Sequence, residues 1–213
     1  MHYIAILDHQ HLDHSFFMKS FAESMSKQKK SQAIILHGDS PYTDRLIQTG
    51  MIRSDALLRS TRDLNHRIIT LLADNGISAI GINGYQKKII QQEKNELLIQ
   101  KEWFESRPPS THIVLSNLVW CCHTNTVIPV PLVELANKLN EQFSQLPVVI
   151  FAKAETSGAL SEKSEEKFDI SRIQPEQASM SIPDDLKPVP RNGHLSTPET
   201  FEKLPDTSDL YTF

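Results

Sequence analysis

The sequence has 213 residues, of which 39% are hydrophobic and 23% charged, so it carries enough apolar side chains for one domain or one domain plus a tail. Its net charge of −4 excludes a global basic field that would attract nucleic acid or an anionic membrane surface. No segment approaches the ~20 apolar residues of a membrane span, and the first residues lack the basic start and long apolar run of a signal peptide.

The first half of the chain alternates short apolar runs with helical patterns. Tyr3 to Leu7 is a candidate strand, and residues 13–30 place apolar side chains at helical spacing. Ala33 to Leu36 predicts a second buried strand, followed by a turn from His37 to Pro41. The elements predicted next are a helix that stops at Gly50, a longer helix from Ser54 to Asn75-Gly76, and a strand from Ile77 to Ile82.

The second half continues the alternation up to about residue 155. We predict a polar hairpin over residues 87–105, a long buried strand from Ile113 to Cys122, a helix from Pro131 to Phe143 and a strand from Pro147 to Ala152. The cysteines, Cys121 and Cys122, are adjacent in the apolar run. This favours a reduced, cytoplasmic protein over a disulfide framework.

Continuous apolar strands that alternate with helices predict an α/β fold, with an open, mostly parallel sheet and helices on both faces. The composition changes after about residue 155, because six of the twelve prolines fall in residues 156–213 and apolar periodicity fades there. We therefore predict one α/β domain over residues 1–155. Residues 156–213 are expected to form a Pro-rich tail that is extended or partly disordered.

The turn after the second predicted strand and the two elements that follow it carry a resemblance to a known family. The strand followed by His37-Gly38-Asp39-Ser40-Pro41 resembles the histidine and glycine-rich turn of the amino acid kinases, in their acetylglutamate kinase branch. The helix around Leu64-Asn65-His66-Arg67 resembles the helix behind their substrate pocket. Ile77 to Gly84 looks like the strand and turn that come next. The resemblance implies an amino acid kinase-like α/β fold and a homo-oligomer.

The chain departs from that family where phosphate is handled. The family has a lysine and a pair of glycines after its first strand, whereas this chain reads Leu7-Asp8-His9-Gln10. Asp39 adds a negative charge where a phosphate would sit, which is unfavourable unless a metal intervenes. Because phosphoryl transfer depends on positioning and charge neutralisation, these losses predict a truncated, degenerate and non-catalytic protein.

The resemblance implies a ligand pocket near the carboxyl ends of the strands. It would bind a small acidic metabolite or a protein partner, and no cofactor or catalytic residue is assigned. Arg53 would stand in for the arginine that binds the substrate carboxylate in the family. The ligand-binding residues implied are His37, Gly38, Asp39, Ser40, Arg53, Asn65, Asn83 and Gly84.

Two enzymatic alternatives stay open. The first is a divergent acetylglutamate kinase-like phosphotransferase, which would require Mg-ATP. The second rests on residues 9–14, which match the HxHxDH pattern of the metallo-β-lactamase superfamily and imply a metal-dependent hydrolase with His9, His11, Asp13 and His14 as ligands. The favoured prediction has no metal there, and Asp13 caps the helix that follows.

Overall fold

Apolar strands and amphipathic helices alternate in this computed structural model, which describes residues 1–28, 31–144, 146–153 and 173–213. The strands are β1 (Tyr3–Leu7), β2 (Ala33–His37), β3 (Ala79–Asn83), β4 (Ile90–Glu93), β5 (Glu96–Ile99), β6 (His112–Ser116), β7 (Leu118–Cys121), β8 (Thr126–Pro129), β9 (Val148–Phe151), β10 (Gly193–Ser196) and β11 (Tyr211–Thr212). The helices are α1 (Ser15–Lys27), α2 (Tyr42–Gln48), α3 (Arg53–Asp74), α4 (Lys101–Glu105), α5 (Leu132–Gln142), α6 (Pro175–Ser181) and α7 (Pro198–Phe201).

The main sheet has seven strands in the order β11-β10-β9-β1-β2-β6-β3. Its strand pairs are parallel except for β10 with β11. One apolar cluster lies on the face covered by α5, and a second lies on the face covered by α1 and α3. Helices on both faces explain why the central strands are buried along their whole length. The predicted α/β fold with a mostly parallel sheet is confirmed.

A second sheet, in the order β5-β4-β7-β8, packs against the α5 side of the core. The β4–β5 pair is an antiparallel hairpin, as the sequence predicts for this region. Its turn residues Lys94 and Asn95 have φ angles of 47° and 67°, which suit a two-residue turn that follows the twist of the strands. Among the described residues, no helix is both long and apolar enough to cross a bilayer.

The long strand expected from Ile113 to Cys122 is two strands that belong to different sheets. β6 lies in the main sheet, and β7 continues into the second sheet after a break at Asn117. There the Asn117 amide nitrogen donates to the Val130 carbonyl at 2.8 Å, and the Asn117 backbone N–H donates to the His37 carbonyl at 2.9 Å. The polar pair Ser116-Asn117 therefore interrupts the apolar run where the chain passes from one sheet to the other.

The C-terminal stretch differs from an extended tail in its described part. Residues 156–172 lie outside the described residues, but residues 173–213 supply α6, α7, β10 and β11. β10 adds to the main sheet in parallel beside β9. After Leu186 the buried apolar side chains of this stretch are irregularly spaced along the sequence, so no periodic pattern predicts its strands: Leu195, Phe201, Leu204 and Leu210.

Candidate functional site

The carboxyl ends of four neighbouring parallel strands lie along one edge of the main sheet. In register, Leu7 of β1 is beside His37 of β2, His37 is beside Ser116 of β6, and Ser116 is beside Asn83 of β3. Seven of the eight predicted ligand residues follow or end these strands, or reach this edge from α3: His37, Gly38, Asp39, Ser40, Asn65, Asn83 and Gly84.

Arg53 lies apart from this group. It is the first residue of α3 and is exposed. Asn65 lies about three helical turns further along α3, a distance of roughly 18 Å. The sequence could not show this separation, because the length of the helix decides it.

His37 is a fully buried side chain held by two hydrogen bonds. The Asn65 amide nitrogen lies 3.0 Å from His37 Nε2, and His37 Nδ1 lies 2.9 Å from the Gly38 carbonyl. An amide N–H can only donate and a carbonyl can only accept, so the proton sits on Nδ1. Burial lowers the pKa of His37 to about 4, which keeps the ring neutral near pH 7. His37 therefore fastens α3 to the end of β2.

Asn83 and Gly84 are also occupied by internal contacts. The Ser116 hydroxyl donates to Asn83 Oδ1 at 2.8 Å, and the Asn83 backbone N–H donates to Gln86 Oε1 at 2.8 Å. A Cβ atom on Gly84 would lie 2.8 Å from the Leu118 carbonyl oxygen, so only glycine fits. Gly84 is thus explained by packing between the main sheet and β7.

Residues 8–14, which we call the β1–α1 segment, fill the gap between the ends of β1 and β9. Asp8 Oδ1 accepts a 2.9 Å hydrogen bond from the backbone N–H of His11 and contacts the His11 ring. His11 Nε2 donates to the Ala152 carbonyl after β9 at 2.8 Å, and its ring stacks on Phe17 with a centroid distance of 4.0 Å. Both Asp8 and His11 are almost completely buried.

This gap is where the order of the sheet reverses. From β1 the chain proceeds toward β2 and β6 on one side, whereas β9 leads to β10 on the other. Ligands of open α/β sheets usually bind at such a reversal, outside the carboxyl ends of the strands. Here the His11 side chain occupies that place.

Two ion pairs link the β1–α1 segment to residues that follow β2. His9 Nδ1 lies 3.7 Å from Asp39 Oδ1, and Arg45 of α2 donates two 2.9 Å hydrogen bonds to the Asp13 carboxylate. Contact with Asp39 raises the pKa of His9. Burial opposes ionisation of Asp39, but the contact with His9, together with hydrogen bonds from Thr43 and the backbone, lowers the pKa of that carboxyl.

The four residues of the HxHxDH pattern have separate partners. His9 faces Asp39, His11 bonds to Ala152, and Asp13 pairs with Arg45. His14 accepts the N–H of Phe17 at 3.1 Å and so caps α1 in place of the expected Asp13. Among the described residues, no group of three or more histidine, cysteine or acidic side chains could hold a metal ion. The metal-ligand alternative for His9, His11, Asp13 and His14 therefore finds no support in this geometry.

Several polar residues at this edge were absent from the sequence-based set. Asp8 and Ser116 follow or end strands, a position that could have identified them. The hydroxyls of Ser60 and Thr61, on the buried face of α3, have no hydrogen-bond partner among the described residues. Their burial depends on how α3 is rotated against the sheet, which the sequence pattern leaves open.

Two concavities are formed by described residues. One, of about 490 Å³, is lined by residues before and along α3: Met51, Asp55, Leu58, Arg59, Arg62 and Asp63. The other, of about 250 Å³, lies between β5 and α5. Neither is lined by a predicted ligand residue.

No protein-family model matches the sequence, and no curated protein matches it either. Solved structures do. The product complex of T. acidophilum isopentenyl phosphate kinase matches with a TM-score of 0.59 and 9% identity, over 100% of this chain and 99% of that chain. N-acetylglutamate synthase from Neisseria gonorrhoeae matches with a TM-score of 0.52 and 10% identity, over 76% of this chain and 47% of that chain.

Aspartate kinase from Synechocystis matches with a TM-score of 0.57 and 10% identity, over 71% of this chain but only 28% of that chain. Identities this low show the fold and nothing finer. Three differently named proteins are similar to this chain at the level of the fold. The chain has an amino acid kinase-like fold.

Proposed function

We propose that this chain is a non-catalytic protein that uses an amino acid kinase-like fold for binding. The observation that carries the proposal is the buried Asp8–His11 contact at the reversal of the main sheet. It puts a carboxylate and an imidazole where an open crevice would be needed.

The backbone at this place is poorly suited to phosphate. A phosphate cradle needs free N–H groups and close backbone approach, which glycine permits. Here the backbone N–H of His11 already donates a hydrogen bond to Asp8 Oδ1, and the β1–α1 segment contains no glycine. An internal carboxylate thus takes the hydrogen bond that a phosphate oxygen would accept.

The charges at this edge also disfavour an anion. Asp8 follows β1 directly, and Asp39 is the second residue after β2. Two cations that could offset them are paired with other carboxylates: Arg45 with Asp13, and Lys153 with Asp184 at 3.5 Å. A small acidic ligand would meet the Asp39 carboxylate, which His9 offsets only while His9 is protonated. We therefore favour a protein partner over a small acidic metabolite as the ligand of this chain.

A second copy of the chain is one such partner. β3 is one of the two outer strands of the main sheet, and its sequence Ala-Ile-Gly-Ile-Asn has no proline and no charged residue. Edge strands without these features can pair with another strand. The homo-oligomer implied by the resemblance would most simply form by strand pairing along β3.

Calorimetric titration with Mg-ATP, with thermal shift as a second readout, tests whether the chain binds the nucleotide that a phosphotransferase would require. We expect no saturable heat and no shift in melting temperature. Saturable binding on the order of −4 to −8 kcal/mol would instead support the divergent phosphotransferase.

Paired variants would then locate such binding. If nucleotide bound at the strand ends, Asp39→Asn would remove a repelling charge and strengthen it. The matched change Asp74→Asn, at the exposed far end of α3, would leave it unaltered.

A further inference from the structure

The β1–α1 segment is joined by charge to the loop and helix that follow β2. Its two ion pairs, His9–Asp39 at 3.7 Å and Asp13–Arg45 with two 2.9 Å hydrogen bonds, span loops that leave neighbouring parallel strands at the same edge. About a third of each side chain of the His9–Asp39 pair is exposed, at 35% and 34%. Solvent therefore reaches this pair, and protons can exchange with it.

The two pairs differ in how they respond to pH. An arginine stays charged throughout the range in which proteins are folded. The hydrogen bond from Arg45 lowers the pKa of Asp13, so that carboxylate also stays ionised near neutrality. Histidine is the side chain whose charge ordinarily changes between pH 5 and 8. Of the two ion pairs, only His9–Asp39 can therefore change its charge state between pH 5 and 8.

Carboxylates from three neighbouring elements act on His9. They are Asp39 after β2, Asp44 in α2 and Asp185 in the turn Asp184–Leu186. Asp13, on the same segment as His9, also feels its charge. Protonated His9 offsets these charges. When His9 is neutral, the repulsion among the carboxylates of Asp39, Asp44 and Asp185 is no longer offset.

We propose that the His9–Asp39 pair is a pH-sensitive latch on the β1–α1 segment, closed while His9 carries a proton and released when it loses that proton. The Asp13–Arg45 pair stays formed in both states and acts as the fixed end. Release would loosen the segment at the sheet edge where ligands of this kind of fold bind. This goes beyond the proposed binding role, because it concerns the movement of the segment and not the identity of a partner.

Amide hydrogen exchange of the full chain, at about pH 6 and about pH 8.5 and corrected for intrinsic rates, tests the latch. Protection of residues 8–14 and 38–41 should fall about three- to fivefold at the higher pH, the range expected for a partly exposed ion pair. His9→Gln should show the lower protection at both pH values. His9→Arg should show the higher protection at both.

The exposed His66 of α3 provides the matched control, and His66→Gln should behave as the unmodified chain does. Equal protection at the two pH values in the unmodified chain would overturn the proposal. So would an unchanged pH dependence in folded His9→Gln. Should that variant fail to fold, the NMR titration of His9 decides: Asp39→Asn must lower its pKa, and an unchanged titration rejects the latch.

Discussion

Gly38 and Gly84 were predicted together as ligand residues, but their surroundings differ. A Cβ atom on Gly38 would meet the Asn117 amide at 3.5–3.8 Å, an ordinary contact. On Gly84 it would meet the Leu118 carbonyl at 2.8 Å and Ile90 at 3.3 Å. The first site has room for a methyl group, and the second has none.

We therefore expect Gly84→Ala to destabilise the protein by about 1–3 kcal/mol, because the backbone of β7 would have to move. Gly38→Ala is the matched control and should change the free energy of unfolding by about 0.5 kcal/mol or less. Urea unfolding of both variants measures this. Equal losses would mean that the close approach of Gly84 to Leu118 is unimportant.

Residue types allowed the strand ends to be predicted, but not the partners of their side chains. His37 and Asn65 were both expected at a ligand pocket, and the structure pairs them with each other. The sequence could not show this pairing because it depends on how α3 lies across β2 and β6. In the sequence, Asp8 drew notice only because this stretch lacks the lysine of the family. In the structure, its hydrogen bond with the His11 backbone N–H shapes the β1–α1 segment.

At the scale of elements, the sequence predicted strands and helices well wherever apolar side chains are continuous or periodic. β1, β2, α3 and the β4–β5 hairpin all lie close to their predicted places. Two kinds of element were missed. The break between β6 and β7 lies at the polar pair Ser116-Asn117, and β10 has a single large apolar residue, Leu195, within four residues.

Leu195 tests whether β10 is an integral part of the sheet. It is fully buried beside β9, so Leu195→Ala should lower stability by about 2–5 kcal/mol. Met180, which is 69% exposed on α6, is the matched control, and Met180→Ala should cost less than about 0.5 kcal/mol. Chemical denaturation compares the two. A neutral Leu195→Ala would indicate a loosely attached tail.

At the scale of the whole molecule, two buried histidines at opposite ends of the central strands make stability depend on pH. Burial lowers the pKa of both His37 and His112 to about 4. His112 Nδ1 accepts the Ala33 N–H at 3.2 Å, which only the unprotonated nitrogen can do. Both rings are thus neutral in the folded protein near pH 7.

Their effect on stability follows from the sign of these shifts. The unfolded chain takes up protons near the ordinary histidine pKa of about 6.5, before the folded chain does. Stability should therefore be complete above about pH 6.5 and fall as the pH approaches 4, by about 2 kcal/mol for each histidine at pH 5. His112→Asn, which keeps an acceptor for Ala33, should reduce this loss, whereas His66→Asn should not. Urea unfolding at several pH values measures both, and an unchanged slope in His112→Asn would contradict the assignment.

The position of β1 has a consequence for the order in which the chain can fold during synthesis. β1 leaves the ribosome before the other strands of the main sheet, and β2, β3 and β6 can assemble on one side of it as they emerge. Its other neighbour, β9, comes from the opposite part of the chain, and β10 and β11 come later still. Until β9 arrives, one side of β1 is an apolar strand with unpaired backbone groups, the kind of surface that promotes misassembly. A nascent or truncated chain that ends before β9 should therefore be the aggregation-prone form, and a chaperone that shields strand edges would protect it.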